Sequence, residues 1–179
     1  GGTAAPPGDP LLPESIGIMA SVARKPDGSP GIVYYDRPLG NLRYVEMIGG
    51  MWQAPGVLDG EDSNGKDNGD VGMYPSLTYD TQGIGHVSYV DATRDNLMYI
   101  DTLNRVRAIV DDGFRMGEET TNDGLPSPIY HLVGDSSSIQ LIGTKPLIAY
   151  QDSTTLQVRF EIAKGSQDQL AGALRLGVI

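Results

Sequence analysis

The residues best suited to chemistry lie in one acidic loop, in three spaced aspartates and in two histidines. The run Asp59-Gly60-Glu61-Asp62-Ser63-Asn64-Gly65-Lys66-Asp67-Asn68-Gly69-Asp70 crowds oxygen side chains among glycines. Asp59, Glu61, Asp62, Asn64, Asp67 and Asp70 together make a candidate calcium loop. Calcium takes about six to eight oxygen ligands, and the chain must wrap tightly to supply them. The spacing Asp62-x-Asn64-Gly65-x-Asp67 is part of a short calcium loop, although the full D-x-[DN]-x-[DN]-G pattern is absent. Asn, Asp and Gly also serve as turn formers, so a solvated connection is the other reading.

Asp36, Asp91 and Asp152 could be taken for a set of catalytic carboxylates. Each stands two places after a tyrosine, in Tyr34-Tyr35-Asp36, Tyr89-Val90-Asp91 and Tyr150-Gln151-Asp152. A role that recurs at one position of a repeat is structural, and an Asp at a strand end caps the N–H groups of the next turn. His86 and His131 are not at metal-ligand spacing. No G-x-S-x-G elbow is present. The nine arginines from Arg24 to Arg175 show no clustering that follows the repeat. No catalytic residue is expected.

The elements that position these residues emerge from an internal repeat. Ile16-Gly17 with Ser21 recurs as Val71-Gly72 with Ser76 and as Val133-Gly134 with Ser138. A strand ending in the spaced Asp follows each serine: Ile32–Asp36, Val87–Asp91 and Ile148–Asp152. Next come Leu42-Arg43-Tyr44, Leu97-Met98-Tyr99 and Leu156-Gln157-Val158. A fourth segment aligns Val57-Leu58-Asp59-Gly60 with Val110-Asp111-Asp112-Gly113. Alternation of β-branched and aromatic residues with smaller ones marks strands, and Pro26-Asp27-Gly28-Ser29-Pro30 marks a hairpin turn.

Four hairpin-linked strands per unit predict an all-β chain of about three four-stranded antiparallel β-propeller blades. The expected division is a Pro/Gly-rich linker at 1–15, then blades at 16–70 and 71–132 and a shortened blade at 133–179. The last strand of the third blade is expected within Leu170–Ile179. Three blades are an incomplete propeller, since closed ones have about four to eight. The expected partner is therefore the rest of a longer precursor or another copy of the chain. Tyr34, Tyr89 and Tyr150 are expected core positions whose hydroxyls reach a neighbouring blade. Trp52 is expected in the core at the start of a fourth strand. Gln53–Asp70 and Phe114–Ser127 are expected as long loops.

Thirteen basic and 23 acidic residues leave a net charge of −10, which repels nucleic-acid phosphates and anionic membrane surfaces. The absence of cysteine excludes disulfides and thiolate chemistry. With 24 glycines and 12 prolines, the composition favours many short elements joined by turns.

The stretch GDVGMYPSLTYDTQGIGHVSYVDATRDNLMYI, with IVDDG and HLVGDSSSI…IAYQDSTTLQVRF, resembles repeats in large envelope-associated proteins of myxobacteria and related bacteria. That resemblance spans residues 16 to about 163 and implies a secreted or cell-surface location within a longer parent protein. It implies no activity. Thr78-x-Asp80-x-x-Gly83 resembles the hairpin turn of sialidase-type propellers, a turn that lies away from their active sites. The expected function is a non-enzymatic extracellular scaffold or a protein- or glycan-binding module. The alternatives are a filament or coat subunit assembled through exposed blade edges, and a sialidase- or lyase-like enzyme.

Overall fold

A computed structural model describes residues 16–162. The expected linker at 1–15 and the strand expected within 170–179 lie outside the described residues. The described chain is all-β, with no helix among those residues.

Three antiparallel sheets follow one another along the chain. The first holds β1 (Ile16–Arg24), β2 (Pro30–Asp36) and β3 (Asn41–Ile48). The outer end of β3 pairs with a two-residue strand, β4 (Met51–Trp52), and its start pairs with β5 (Gly56–Asp59). The second sheet runs β6 (Val71–Tyr79), β7 (Gly85–Asp91), β8 (Asn96–Asp101) and β9 (Arg107–Asp111), in that order. A separate hairpin follows, β10 (Phe114–Thr120) with β11 (Pro126–Tyr130). The third sheet is β12 (Val133–Ile142), β13 (Lys145–Asp152) and β14 (Gln157–Ile162).

The three sheets share one register. Ile16 faces Asp36, Val71 faces Asp91 and Val133 faces Asp152. Each first strand then slips twice, around Met19, Tyr74 and Ser136, whose φ values of 55°, 49° and 53° are left-handed. Such bulges bend a strand and sharpen its twist. The recurring glycine is explained at Gly72, where φ is 105° and a Cβ would lie 2.8 Å from the Leu42 Cα. A side chain there would collide with the sheet in front.

Sheets stack face to face, and burial follows the pleat. One core joins Val33, Leu42 and Leu58 of the first sheet to Leu77, Val87, Tyr89, Met98 and Ile100 of the second. Another joins Leu97 and Val110 of the second to Ile139, Ile148 and Tyr150 of the third. Facing sheets approach closely enough at their first strands for direct hydrogen bonds. The Leu77 N–H donates to Ser21 Oγ at 3.1 Å, and the Ile139 N–H donates to Ser76 Oγ at 3.1 Å. The repeated serine is thus an acceptor for the next sheet. Small residues on this face permit the approach, as Ser88 Oγ lies 2.9 Å from Ser137 Oγ.

Register also corrects the repeat alignment. Val158 pairs with Gln151, as Leu42 pairs with Tyr35 and Leu97 with Val90. Val158-Arg159-Phe160, rather than Leu156-Gln157-Val158, is therefore the counterpart of Leu42-Arg43-Tyr44. Leu156 is the left-handed turn residue (φ 57°), equivalent to Asp95 (φ 54°) and Gly40 (φ 65°). In the fourth segment, Leu42 opposes Asp59 and Leu97 opposes Asp111, so Asp111 and not Asp112 matches Asp59. Apolar spacing alone misleads here because each turn can hide a leucine and each bulge adds a residue.

Trp52 is half exposed instead of buried. Gly49 and Gly50, both at positive φ, fold β4 back on the projecting end of β3, and β5 supplies the fourth strand of the sheet. The two expected loops are also ordered differently: Gln53–Asp70 contains β5, and Phe114–Ser127 lies almost wholly in the β10–β11 hairpin.

Candidate functional site

The two connections between sheets leave from equivalent strand ends. One leads from Asp59 on β5 to β6, the other from Asp111 on β9 to β12. Their contents differ.

The first connection carries the six prospective calcium ligands. Asp62 begins a tight turn in which its Oδ1 accepts the N–H groups of Asn64 (2.8 Å) and Lys66 (3.0 Å). The Asp80 turn has the same pattern, with Oδ1 accepting from Gln82 (2.9 Å) and Ile84 (2.8 Å). Asp62 is fully exposed, and these N–H groups lower its pKa, the Lys66 bond first and then the Asn64 bond. Asp67 accepts the Gly69 N–H, Glu61 accepts from the Asn41 side-chain amide and Asp70 accepts the Tyr35 hydroxyl. Asp59 accepts the Tyr89 hydroxyl at 2.6 Å and Arg107 Nη1 at 2.8 Å. Asn64 is exposed, with its backbone N–H on Asp62. Within the loop these carboxylates accept from separate protein donors, and among the described residues no group of three or more His, Cys, Asp or Glu is found that could hold a metal ion. Tyr35 is buried with its hydroxyl on Asp70, and burial first and the Asp70 bond second hold its pKa up at about 12.

The second connection is the β10–β11 hairpin. It presents Met116, Leu125 and Tyr130 to solvent, with Phe114 edge-on to Tyr130 at 5.6 Å. Its base is held by charge. Arg115 reaches both Asp111 oxygens, Oδ1 at 3.0 Å and Oδ2 at 2.7 Å, and Tyr150 donates to Asp111 Oδ2 at 2.7 Å. At the other end of the hairpin His131 Nδ1 lies 2.7 Å from Asp152 Oδ2, and Arg159 Nη2 is 2.7 Å from the same oxygen. His131, Asp152, Arg159 and Glu161 are all buried. Burial would raise the Asp111 and Asp152 carboxyls, but hydrogen bonds from Arg115 and Tyr150 to the first, and from His131 and the Thr155 N–H to the second, carry both below the usual range. This cluster ties down both ends of the hairpin.

The three repeated aspartates keep distinct local partners. Asp36 takes Arg43 at 2.5 Å, and Asp91 takes Arg94 at 2.9 Å and caps the N–H groups of Thr93 and Arg94. Asp152 caps the Thr155 N–H besides binding His131 and Arg159. The structure does not bring the three aspartates together. His86 on β7 contacts the Tyr99 hydroxyl at 2.6 Å, whereas His131 lies in the connection between β11 and β12. Arg43 and Arg159 occupy the same repeat position on equivalent aspartates, a relation that the misaligned third segment conceals. The His131–Asp152 pair is invisible to spacing because it closes across 21 residues.

Tyr89 and Tyr150 send their hydroxyls to the sheet in front, as expected. Burial first, and the nearby carboxylates second, raise both phenol pKa values. Tyr34 meets no such aspartate among the described residues. No helix among those residues is long and apolar enough to cross a membrane. The site thus lies among stacked, register-matched antiparallel sheets joined by two unlike connections. No family model matches the chain, and no curated protein matches it either.

Proposed function

We propose that the chain is a run of β-propeller blades from a secreted or surface-displayed bacterial envelope protein, acting as a non-enzymatic scaffold that binds a protein or glycan. The observation that carries this reading is the repeated sheet junction: a serine clamp and a Tyr–Asp latch recur at equivalent positions in both junctions. A constant frame of this kind supports variable connections, and binding surfaces commonly reside on loops held by a rigid scaffold. The β10–β11 hairpin is the binding element in this reading. It exposes Met116 and Leu125 along its length and Tyr130 at its open end, and its base is clamped through Arg115 and His131. Asp36, Asp91 and Asp152 act in turns and ion pairs, which favours structure over catalysis.

An array of bacterial polysaccharides and purified envelope proteins, probed with the full chain, tests the reading. A ligand captured by the wild type is expected to be lost by the Met116→Ser/Tyr130→Ser variant with the fold intact. Capture that ignores the hairpin, or glycan turnover that disappears in Asp152→Asn, would overturn it. Assembly into a filament or coat is a second reading, favoured by the apolar residues left open on the outer faces of the first and third sheets.

A further inference from the structure

Among the described residues, each face that joins neighbouring sheets has one unused copy at an end of the stack. The outward side of the first sheet carries Val22, Ile32 and Tyr34, with Val22 opposite Ile32. Their counterparts are Leu77, Val87 and Tyr89 in the second sheet and Ile139, Ile148 and Tyr150 in the third. Val22 is 68% exposed, whereas Leu77 and Ile139 are 5% and 1% exposed beneath the preceding sheet. The outward side of the third sheet carries Ser138, Val158 and Phe160. Ser138 is exposed, but its counterparts Ser21 and Ser76 each accept an N–H from the following sheet. Val158 is 58% exposed, while its counterparts Leu42 and Leu97 are fully buried.

One end of the chain thus displays the face that a sheet receives on, and the other displays the face that a sheet covers with. We propose that a second copy of this chain docks head to tail, laying its Ser138, Val158 and Phe160 face on the Val22, Ile32 and Tyr34 face. In that junction the Ser138 hydroxyl accepts the Val22 N–H, as Ser21 accepts from Leu77 and Ser76 from Ile139. The occupant is argued from continuity with the two internal interfaces. A covering sheet must offer a small acceptor and an apolar residue at these positions, and the third sheet offers both. The proposal rests on the stacked-sheet part of the reading above and not on its ligand. A head-to-tail contact closes into a ring if the rotation permits and otherwise extends as a filament.

Light scattering after size exclusion of the full chain, over a concentration series, tests it. The wild type is expected as a dimer or larger species. Val22→Asp and Val158→Asp should each be monomeric with unchanged circular dichroism, because both positions are exposed within one chain. Mixing these two variants should restore a one-to-one dimer, since one junction between native Val22 and native Val158 remains. Ser138→Ala, which removes only the acceptor, should weaken association about tenfold. A wild type that stays monomeric, a single variant that assembles like the wild type, or a mixture that stays monomeric would overturn the proposal. Ligand capture by the hairpin is read separately, so the two ideas fail independently.

Discussion

The two sheet junctions use one geometry with opposite chemistry. Between the first and second sheets, Met98 and Ile100 fill the positions beside the latch tyrosine Tyr89. Between the second and third, the same positions hold Arg159 and Glu161 beside Tyr150, and both are buried. The latch carboxylate also takes its arginine from different elements. Arg107 of β9 serves Asp59 with a half-exposed side chain, while Arg115 of the hairpin serves Asp111 with one mostly buried. The backbone register and the serine clamps therefore do not depend on an apolar filling. An ionic filling, by contrast, ties the junction to an added element. Buried ion pairs are a poor source of net stability but respond sharply to loss of one partner, so the second junction should be the fragile one.

The largest effect should come from Arg159→Met, which gives the second junction the residue of the first. It leaves Asp152 buried without that guanidinium and should destabilise the protein by about 3 kcal/mol in urea unfolding. Adding Glu161→Ile should recover at least half of the loss, because the pair then copies Met98 and Ile100. If the single change proves neutral, the contrast between the junctions is only in sequence.

Acid should weaken the second junction next. Asp111 and Asp152 have folded pKa values below the 3.8 of the free side chain. Their contribution is therefore complete above the unfolded value and disappears as pH falls through the folded values. Chemical denaturation from pH 6 down to the onset of acid unfolding should show this loss, and Asp111→Asn should flatten it.

A smaller effect separates the junctions from the open face. Tyr89→Phe and Tyr150→Phe each strip a carboxylate of one donor and should cost about 1–2 kcal/mol. Tyr34→Phe, at the unlatched position, should change stability by less than about 0.5 kcal/mol in dilute monomer. Equal effects at all three would mean that the latches contribute little. Smallest of all, Met116→Ser/Tyr130→Ser on the exposed hairpin should stay within about 0.5 kcal/mol.

Much of the frame was legible in the residues. Ile16-Gly17, Val71-Gly72 and Val133-Gly134 with their serines marked three strand starts, and the spaced aspartates marked three strand ends. Legibility failed where chain length changed locally. Leu156 looked like a strand residue because it is apolar, although it sits in a left-handed turn. Asp111 and Asp112 could not be told apart without the bulge that shifts the register opposite Leu97. The acidic run read more readily as turn formers than as ion ligands, and the N–H groups converging on Asp62 reveal its turn chemistry. The cluster of His131, Asp152, Arg159 and Arg115 left no local trace, because its members come from three strands and a connecting segment.

Sequence alone determined the all-β character and the threefold recurrence, because side-chain alternation and turn residues act within a few neighbouring positions. The tertiary structure decided which serine meets which N–H, which junction carries charge and which two faces the other described residues leave open. Those outcomes depend on how one sheet lies against the next, and neighbouring residues along the chain do not encode that distance.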